Sequence, residues 1–250
     1  MTMDFGAVWD FLTDGANWSG SQGMGAYLVQ QLLLTVTSVV AAALVGLPLA
    51  CWLGHIGKGG ALAINISNIG RAVPTFAVLV VLSLGPLGTH YLGPYGRAGL
   101  ATLVSLLLFA LPPIVTNAYV GLREVDREVV DAALGMGMRG GQVFRRVELP
   151  LALPLIVTGL RLAVVQVWAT ATIAALVAGP GLGNVVTEGF ASSNTPQVIG
   201  GALVIAVVAV VLEVAMAMVE KAVSPVPAGT VTRAIPRPET PSAIMQPANP

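Results

Sequence analysis

From Val198 to Val219 the chain carries a single charged side chain, Glu213, in an otherwise apolar run. A helix needs roughly 20 such residues to cross the hydrocarbon core of a bilayer. Four more stretches qualify, at about 27–53, 64–84, 98–119 and 151–177. Hydrocarbon offers no partner for an open peptide group, so each stretch has to be helical. Composition agrees: 55% of residues are hydrophobic and 10% are charged, against roughly 25% charged in soluble domains. So few charges cannot coat a soluble protein of this size, which excludes most soluble enzymes and all disordered readings. A formal charge of zero leaves no basic field for nucleic acid. Cys51 is the only cysteine, and His55 and His90 are the only histidines; neither a disulfide nor a metal site is expected. The class is an all-α integral membrane protein, a polytopic helical bundle of about five transmembrane helices.

Lys and Arg set the orientation. Residues 1–26 hold Asp4, Asp10 and Asp14 and no basic side chain, whereas the loop at 120–150 holds Arg123, Arg127, Arg139, Arg145 and Arg146. Lys58 follows the first span, and Lys221, Arg233 and Arg237 follow the fifth. Arg97 is the exception. The pattern predicts an N-terminus outside and a C-terminus in the cytoplasm. With no positive start before an apolar stretch, a cleavable signal peptide is not expected. Three regions follow. Residues 1–26 form an extracytoplasmic leader, in which residues 5–18 are either an interfacial helix with aromatic anchors or loosely ordered. Residues 27–222 form the membrane domain, with a large cytoplasmic loop at 121–150. Residues 223–250 form a tail expected to be disordered, with seven prolines from Ser224 onward.

The loop carries the densest information. Val125, Val129, Ala132, Ala133 and Met136 recur at helical spacing, with Glu124, Arg127, Glu128 and Asp131 on the opposite side. Gly135 and Gly137 then break the helix. A second short turn groups Val143, Phe144 and Val147, and Pro150 is placed to open the fourth span. A loop so long and two-faced reads either as a docking surface for another protein or as a hairpin that braces the bundle.

In this stretch Asp131-Ala132-Ala133 is followed after three residues by Gly137, and nine residues later by Val147-Glu148-Leu149-Pro150. That spacing resembles the EAA loop of permease subunits of ATP-binding-cassette importers, with Asp131 in place of glutamate and Val147 in place of isoleucine. The resemblance implies a type I importer-like fold with a cytoplasmic coupling helix, in which Asp131, Ala132, Ala133, Gly137, Val147, Leu149 and Pro150 engage a separate ATPase. Further stretches resemble the osmoprotectant permeases for glycine betaine, choline, carnitine or proline-type solutes. These are Arg71-Ala-Val-Pro-Thr-Phe-Ala77, Asn117 to Asp126, Ala133 to Met138, Gly159-Leu-Arg-Leu162, Thr170-Ala-Thr172 and Gly179-Pro-Gly-Leu-Gly183. Permeases for methionine and other amino acids share the general plan. The resemblance also implies an extracytoplasmic solute-binding protein and a second permease chain, identical or sister, in the plasma membrane of a bacterium. The chain has no motor of its own: Gly54-His-Ile-Gly-Lys-Gly59 lacks the glycine spacing and the Ser/Thr of a phosphate-cradling loop. No cofactor is expected in this chain, and ATP would be used by the partner.

Polar side chains within the spans are candidates for the pathway or gate. Arg161 lies about ten residues into the fourth span; it either lines the path, pairs with a polar group, or snorkels to the interface. Arg71 and Pro74 mark a bend, with Arg71 equally readable as a positive-inside anchor. Thr75, Thr116, Asn117, Trp168, Thr170 and Thr172 are path-lining or helix–helix contacts, and Trp168 is the best-placed aromatic face for a quaternary ammonium. No catalytic constellation is present, so an enzyme is not expected. A secondary transporter is the competing class, but Glu213 is the only acid expected within the spans, and no clear repeat is visible.

The topology has a direct test in a Cys51→Ala background. An impermeant thiol reagent on intact cells is expected to label a cysteine at Asn194 and to spare one at Ser242. The reverse pattern overturns the orientation.

Overall fold

The computed structural model describes residues 5–57, 59, 60, 65 and 73–223. Lys58, Arg71 and the Pro-rich tail lie outside them. Two short helices, α1 (Phe5–Thr13) and α2 (Gly15–Trp18), lead into α3 (Met24–Ile56). Next come α4 (Thr75–Leu84), α5 (Pro86–Thr89), α6 (Gly99–Arg123), α7 (Arg127–Gly135) and α8 (Gly140–Val143). The chain ends in α9 (Leu149–Ala171), α10 (Gly183–Ala191) and α11 (Thr195–Val223).

Among the described residues, four helical runs are long and apolar enough to cross a bilayer: Met24–Ile56, Gly99–Arg123, Gly140–Val177 and Thr195–Val223. Of the remaining expected span, 64–84, the described residues are 65 and 73–84. There Pro74, in extended backbone, caps α4, which starts at Thr75. Its ten residues rise only about 15 Å. The sequence reading needs two corrections. The first span opens at Met24, three residues early. The fourth does not open at Pro150, because the helical run is continuous from Gly140 to Val177. Pro150 instead sits just past a π-helical turn at Phe144–Glu148, where the Leu149 N–H reaches back to the Phe144 carbonyl. A proline ring clashes with the carbonyl four residues earlier and donates no N–H; a widened turn before it admits the ring without ending the helix.

The core is the packing of α3, α6 and α9 against one another. Leu34, Ala42, Leu106, Ala110, Ile114, Ala163 and Val167 fill its centre. Ala50, Leu53, Val115, Ala118, Leu122, Ala152 and Ile156 fill the end nearest the large loop. Lipid is as apolar as these side chains, so close backbone approach rather than water exclusion holds such helices together. Gly159 shows how close: a Cβ there would lie 2.8 Å from Asn117 Cβ and 2.9 Å from the Pro113 carbonyl oxygen. Helix α11 lies outside this core against α9 and α10, with only Gly200 and Gly201 buried. The leader folds onto it. Val8 is buried, while Phe5 and Trp9 face outward. Trp18 Nε1 donates to the Leu12 carbonyl at 2.8 Å, which ties the leader to itself.

The α6–α9 crossing should tolerate no side chain at Gly159. Gly159→Leu is expected to cost about 1–3 kcal/mol through overpacking, measured as a lower unfolding temperature in detergent than for wild type.

Candidate functional site

In the large loop, α7 starts at Asp126, whose carboxylate accepts the Glu128 N–H at 2.9 Å. It ends in a Schellman corner. The Gly137 N–H donates to the Leu134 carbonyl at 2.9 Å, and the Met138 N–H donates to the Ala133 carbonyl at 3.2 Å. Gly137 has φ +87°, a left-handed conformation that glycine adopts without steric cost. No atom lies within 4 Å of a Cβ built there, so the backbone, not space, requires glycine. The spacing from Asp131 to Gly137 is therefore that of a helix and its corner. After the corner the Arg139 N–H is held by Gln142 Oε1 at 2.8 Å, and the chain enters the long helix.

Val125 and Ala133 face the bundle, but Val129, Leu134 and Met136 are exposed, Met136 by 78%. Asp131 and Ala132 are exposed beside them. The amphipathic face expected from periodicity is thus split: one edge braces the bundle and the other offers apolar side chains outward. The inner edge fits the bracing hairpin, and the outer edge leaves an apolar strip exposed. Further on, Val147 and Leu149 are half-buried and Pro150 is exposed.

Within the bundle, Arg161 is paired. Its guanidinium donates to Glu213 and to Glu220, the latter at 2.6 Å, and Thr158 donates to Glu220 Oε1 at 2.7 Å. The second acid, Glu220, sits just past the expected end of the fifth span and was not singled out there. Arg161 and Glu213, with Thr158, Val165 and Gln166, line a cleft of about 640 Å³ between α9 and α11. Among the described residues this cluster joins one guanidinium to two carboxyl groups.

The other candidates are placed differently. Trp168 is fully buried among Met24, Tyr27, Leu182 and Val185, and its Nε1 donates to the Ile205 carbonyl at 3.1 Å. No ring face is open to a solute in this conformation. Thr170 donates to the Gln166 carbonyl of its own helix, as Asn117 does to the Pro113 carbonyl. Thr75 is half-buried and Pro74 exposed at the start of α4. Thr116 is half-buried, and its enclosed hydroxyl has no partner among the described residues.

Thr172 leads to a residue the sequence reading missed. Gln31 is fully buried. Its Nε2 donates to the Trp168 carbonyl and to Thr172 Oγ1, at 3.2 and 3.1 Å, and its Oε1 accepts the Leu182 N–H at 2.8 Å. A buried amide satisfied on both sides locks three elements. It explains the Gly179–Gly183 turn as structure, since Gly181 has φ +119° and a Cβ there would lie 3.0 Å from Gln31 Oε1. A glutamine amid the apolar residues of the first span was the only signal. His55 and Glu148 were also missed; they meet at 2.5 Å beneath the loop.

Comparison with known proteins follows the same lines. Residues 42–225 match the family described as the inner membrane component of binding-protein-dependent transport systems. The chain is 33% identical over 211 residues to the carnitine transport permease protein OpuCD of Listeria monocytogenes, covering 82% of this chain and 90% of that protein. It is 32% identical to the glycine betaine/carnitine/choline transport system permease protein OpuCD of Bacillus subtilis, covering 81% and 86%. It is 34% identical to the osmoprotectant import permease protein OsmY of Salmonella typhimurium, covering 80% and 82%. In fold it resembles a chain of the inward-facing methionine ABC transporter MetNI, with a TM-score of 0.67 at 22% identity over 80% of this chain and 96% of that one.

Arg161 bridges two acids with a planar fork, which a lysine ammonium reproduces poorly. Arg161→Gln, which leaves Glu213 and Glu220 facing each other without a cation, is expected to lower the unfolding temperature in detergent. Adding Glu213→Gln is expected to recover most of the loss. An unchanged transition in the single variant rules out the bridging role.

Proposed function

The chain belongs to the family of inner membrane components of binding-protein-dependent transport systems, and on that premise we propose that it forms the solute pathway of an ATP-driven importer for an osmoprotectant such as glycine betaine, choline, carnitine or proline. The observation that carries the coupling is the loop. Its Schellman corner fixes α7 at one angle, and the outward edge of Val129, Leu134 and Met136 is an apolar surface suited to a groove on a separate ATPase. Asp131, Ala132, Ala133 and Gly137 build that element, and Val147, Leu149 and Pro150 join it to the fourth span. Displacement of the loop then acts on a helical run of 38 residues, Gly140–Val177. ATP is used by the partner; this chain holds no cofactor and performs no catalysis.

The names of the relatives support the solute class, since three of them are named for carnitine, glycine betaine/carnitine/choline or osmoprotectant transport. A solute-binding protein delivers the solute on the outer face. A second permease chain, identical or sister, completes the path. The cleft at Thr158, Arg161, Gln166 and Glu213 is the polar stretch of that path in this chain, and the bend at Pro74–Thr75, with Arg71 before it, is its gate. Trp168, Thr170 and Thr172 hold the wall behind it. The chain lies in the bacterial plasma membrane with its N-terminus outside, its C-terminus and the Pro-rich tail from residue 223 in the cytoplasm.

The test is ATP-dependent uptake of labelled glycine betaine, choline, carnitine and proline by the complex reconstituted with its ATPase and binding protein. Uptake of at least one is expected; methionine uptake alone overturns the solute class. Gly137→Val forces a β-branched residue into φ > 0, a strain of about 1–3 kcal/mol confined to the corner. It is expected to reduce ATPase copurification and uptake at an unchanged membrane level; unchanged uptake removes the docking role.

A further inference from the structure

We propose that His55 is a positioning residue that stiffens the root of the fourth helix, so that movement of the loop is transmitted into the bundle instead of being absorbed where loop and helix join. The proposal rests on the reading that the loop docks an ATPase, and it concerns a different pair of residues. The root of that helix is its weakest part. Phe144–Glu148 is a π-helical turn, and Pro150 and Pro154 follow inside the same run. Prolines donate no N–H, so neither Pro150 nor Pro154 closes a rung of the backbone ladder. A lever with such a root bends at its base when pushed from the loop side.

One side chain meets both ends of this turn. His55, on the last turn of α3, places Nδ1 2.5 Å from Glu148 Oε2. Its ring also meets Phe144 edge-on, with centroids 5.3 Å apart and planes at 64°. Phe144 and Glu148 are the first and last residues of the turn, so the imidazole spans it like a splint. The other end of the splint is firm: α3 closes one residue past Ile56 at Gly57, with φ +67° and its N–H on the Gly54 carbonyl, and Leu53 beside it is in the core. Glu148 is 8% exposed, and a carboxylate so enclosed needs its partner. The resemblance to the importer loop leaves position 148 unspecified, and nothing in the docking role of α7 calls for an acid that faces the first span.

Because the splint touches neither the exposed edge of α7 nor the Arg161 cleft, its loss should change transmission and leave docking and the path in place. The experiment uses the full reconstituted complex and reads solute imported per ATP hydrolysed, together with ATPase copurification. His55→Ala and Glu148→Ala are each expected to lower the ratio at least about fivefold, the lower range of site-to-site couplings, with copurification unchanged. The double variant is expected to match His55→Ala, which by itself removes both contacts of the splint. His55→Asn, whose amide N–H reaches roughly where Nδ1 stands but which has no ring to meet Phe144, is expected to restore part of the ratio. A wild-type ratio in both single variants, or an additive double variant, overturns the splint. So does a parallel fall of uptake, hydrolysis and copurification in every variant including His55→Asn, since that is a folding defect. Failure of the docking reading looks different: the wild-type complex itself then shows no ATP-dependent uptake and no copurified ATPase.

Discussion

Every peptide group that crosses hydrocarbon has to find its partner within the protein, and the prolines in the long helices make that demand local. Pro48, Pro112, Pro113 and Pro154 lie inside helices, and Pro150 lies just past the π-turn. Each withdraws a donor and pushes against the preceding turn. The structure answers with geometry that is otherwise rare. At Pro150 the helix widens into a π-turn and continues, which joins loop and span into one body. Between α6 and α9 the Pro113 carbonyl is approached so closely that only glycine fits at 159. The junction of loop and fourth helix therefore takes its shape from where the backbone ladder is interrupted.

The same demand governs the buried polar side chains. Gln31 is satisfied through both its amide groups and joins α3, α9 and the turn before α10. Arg161 is satisfied by two acids on α11, which fixes the outer helix to the core where apolar contact is thin. The two clusters differ in what surrounds them. Gln31 is sealed, so it serves architecture. Arg161 borders a cleft between α9 and α11. Trp168, an attractive aromatic in the sequence, falls on the sealed side because its indole is enclosed on every face and its N–H is already taken.

What the sequence by itself determined was local. Apolar length marks the helices, because a span needs one continuous apolar run whatever its neighbours do. The loop's helix and corner are legible because a Schellman end requires a residue able to adopt positive φ, and Gly137 stands where α7 runs out. The family pattern is legible for the same reason: its spacing encodes one helix, one corner and one entry into a span. Tertiary structure decided the partners. His55 and Glu148 are 93 residues apart, Gln31 and Leu182 are 151 apart, and Arg161 meets acids 52 and 59 residues away. No period or spacing announces such pairs. It also decided where the fourth helix starts, because a proline reads as a beginning unless the preceding turn can widen. Local rules act through neighbouring peptide groups and are written in the order of residues; side-chain pairing depends on which helices touch and at what height, and that is settled only when the bundle packs.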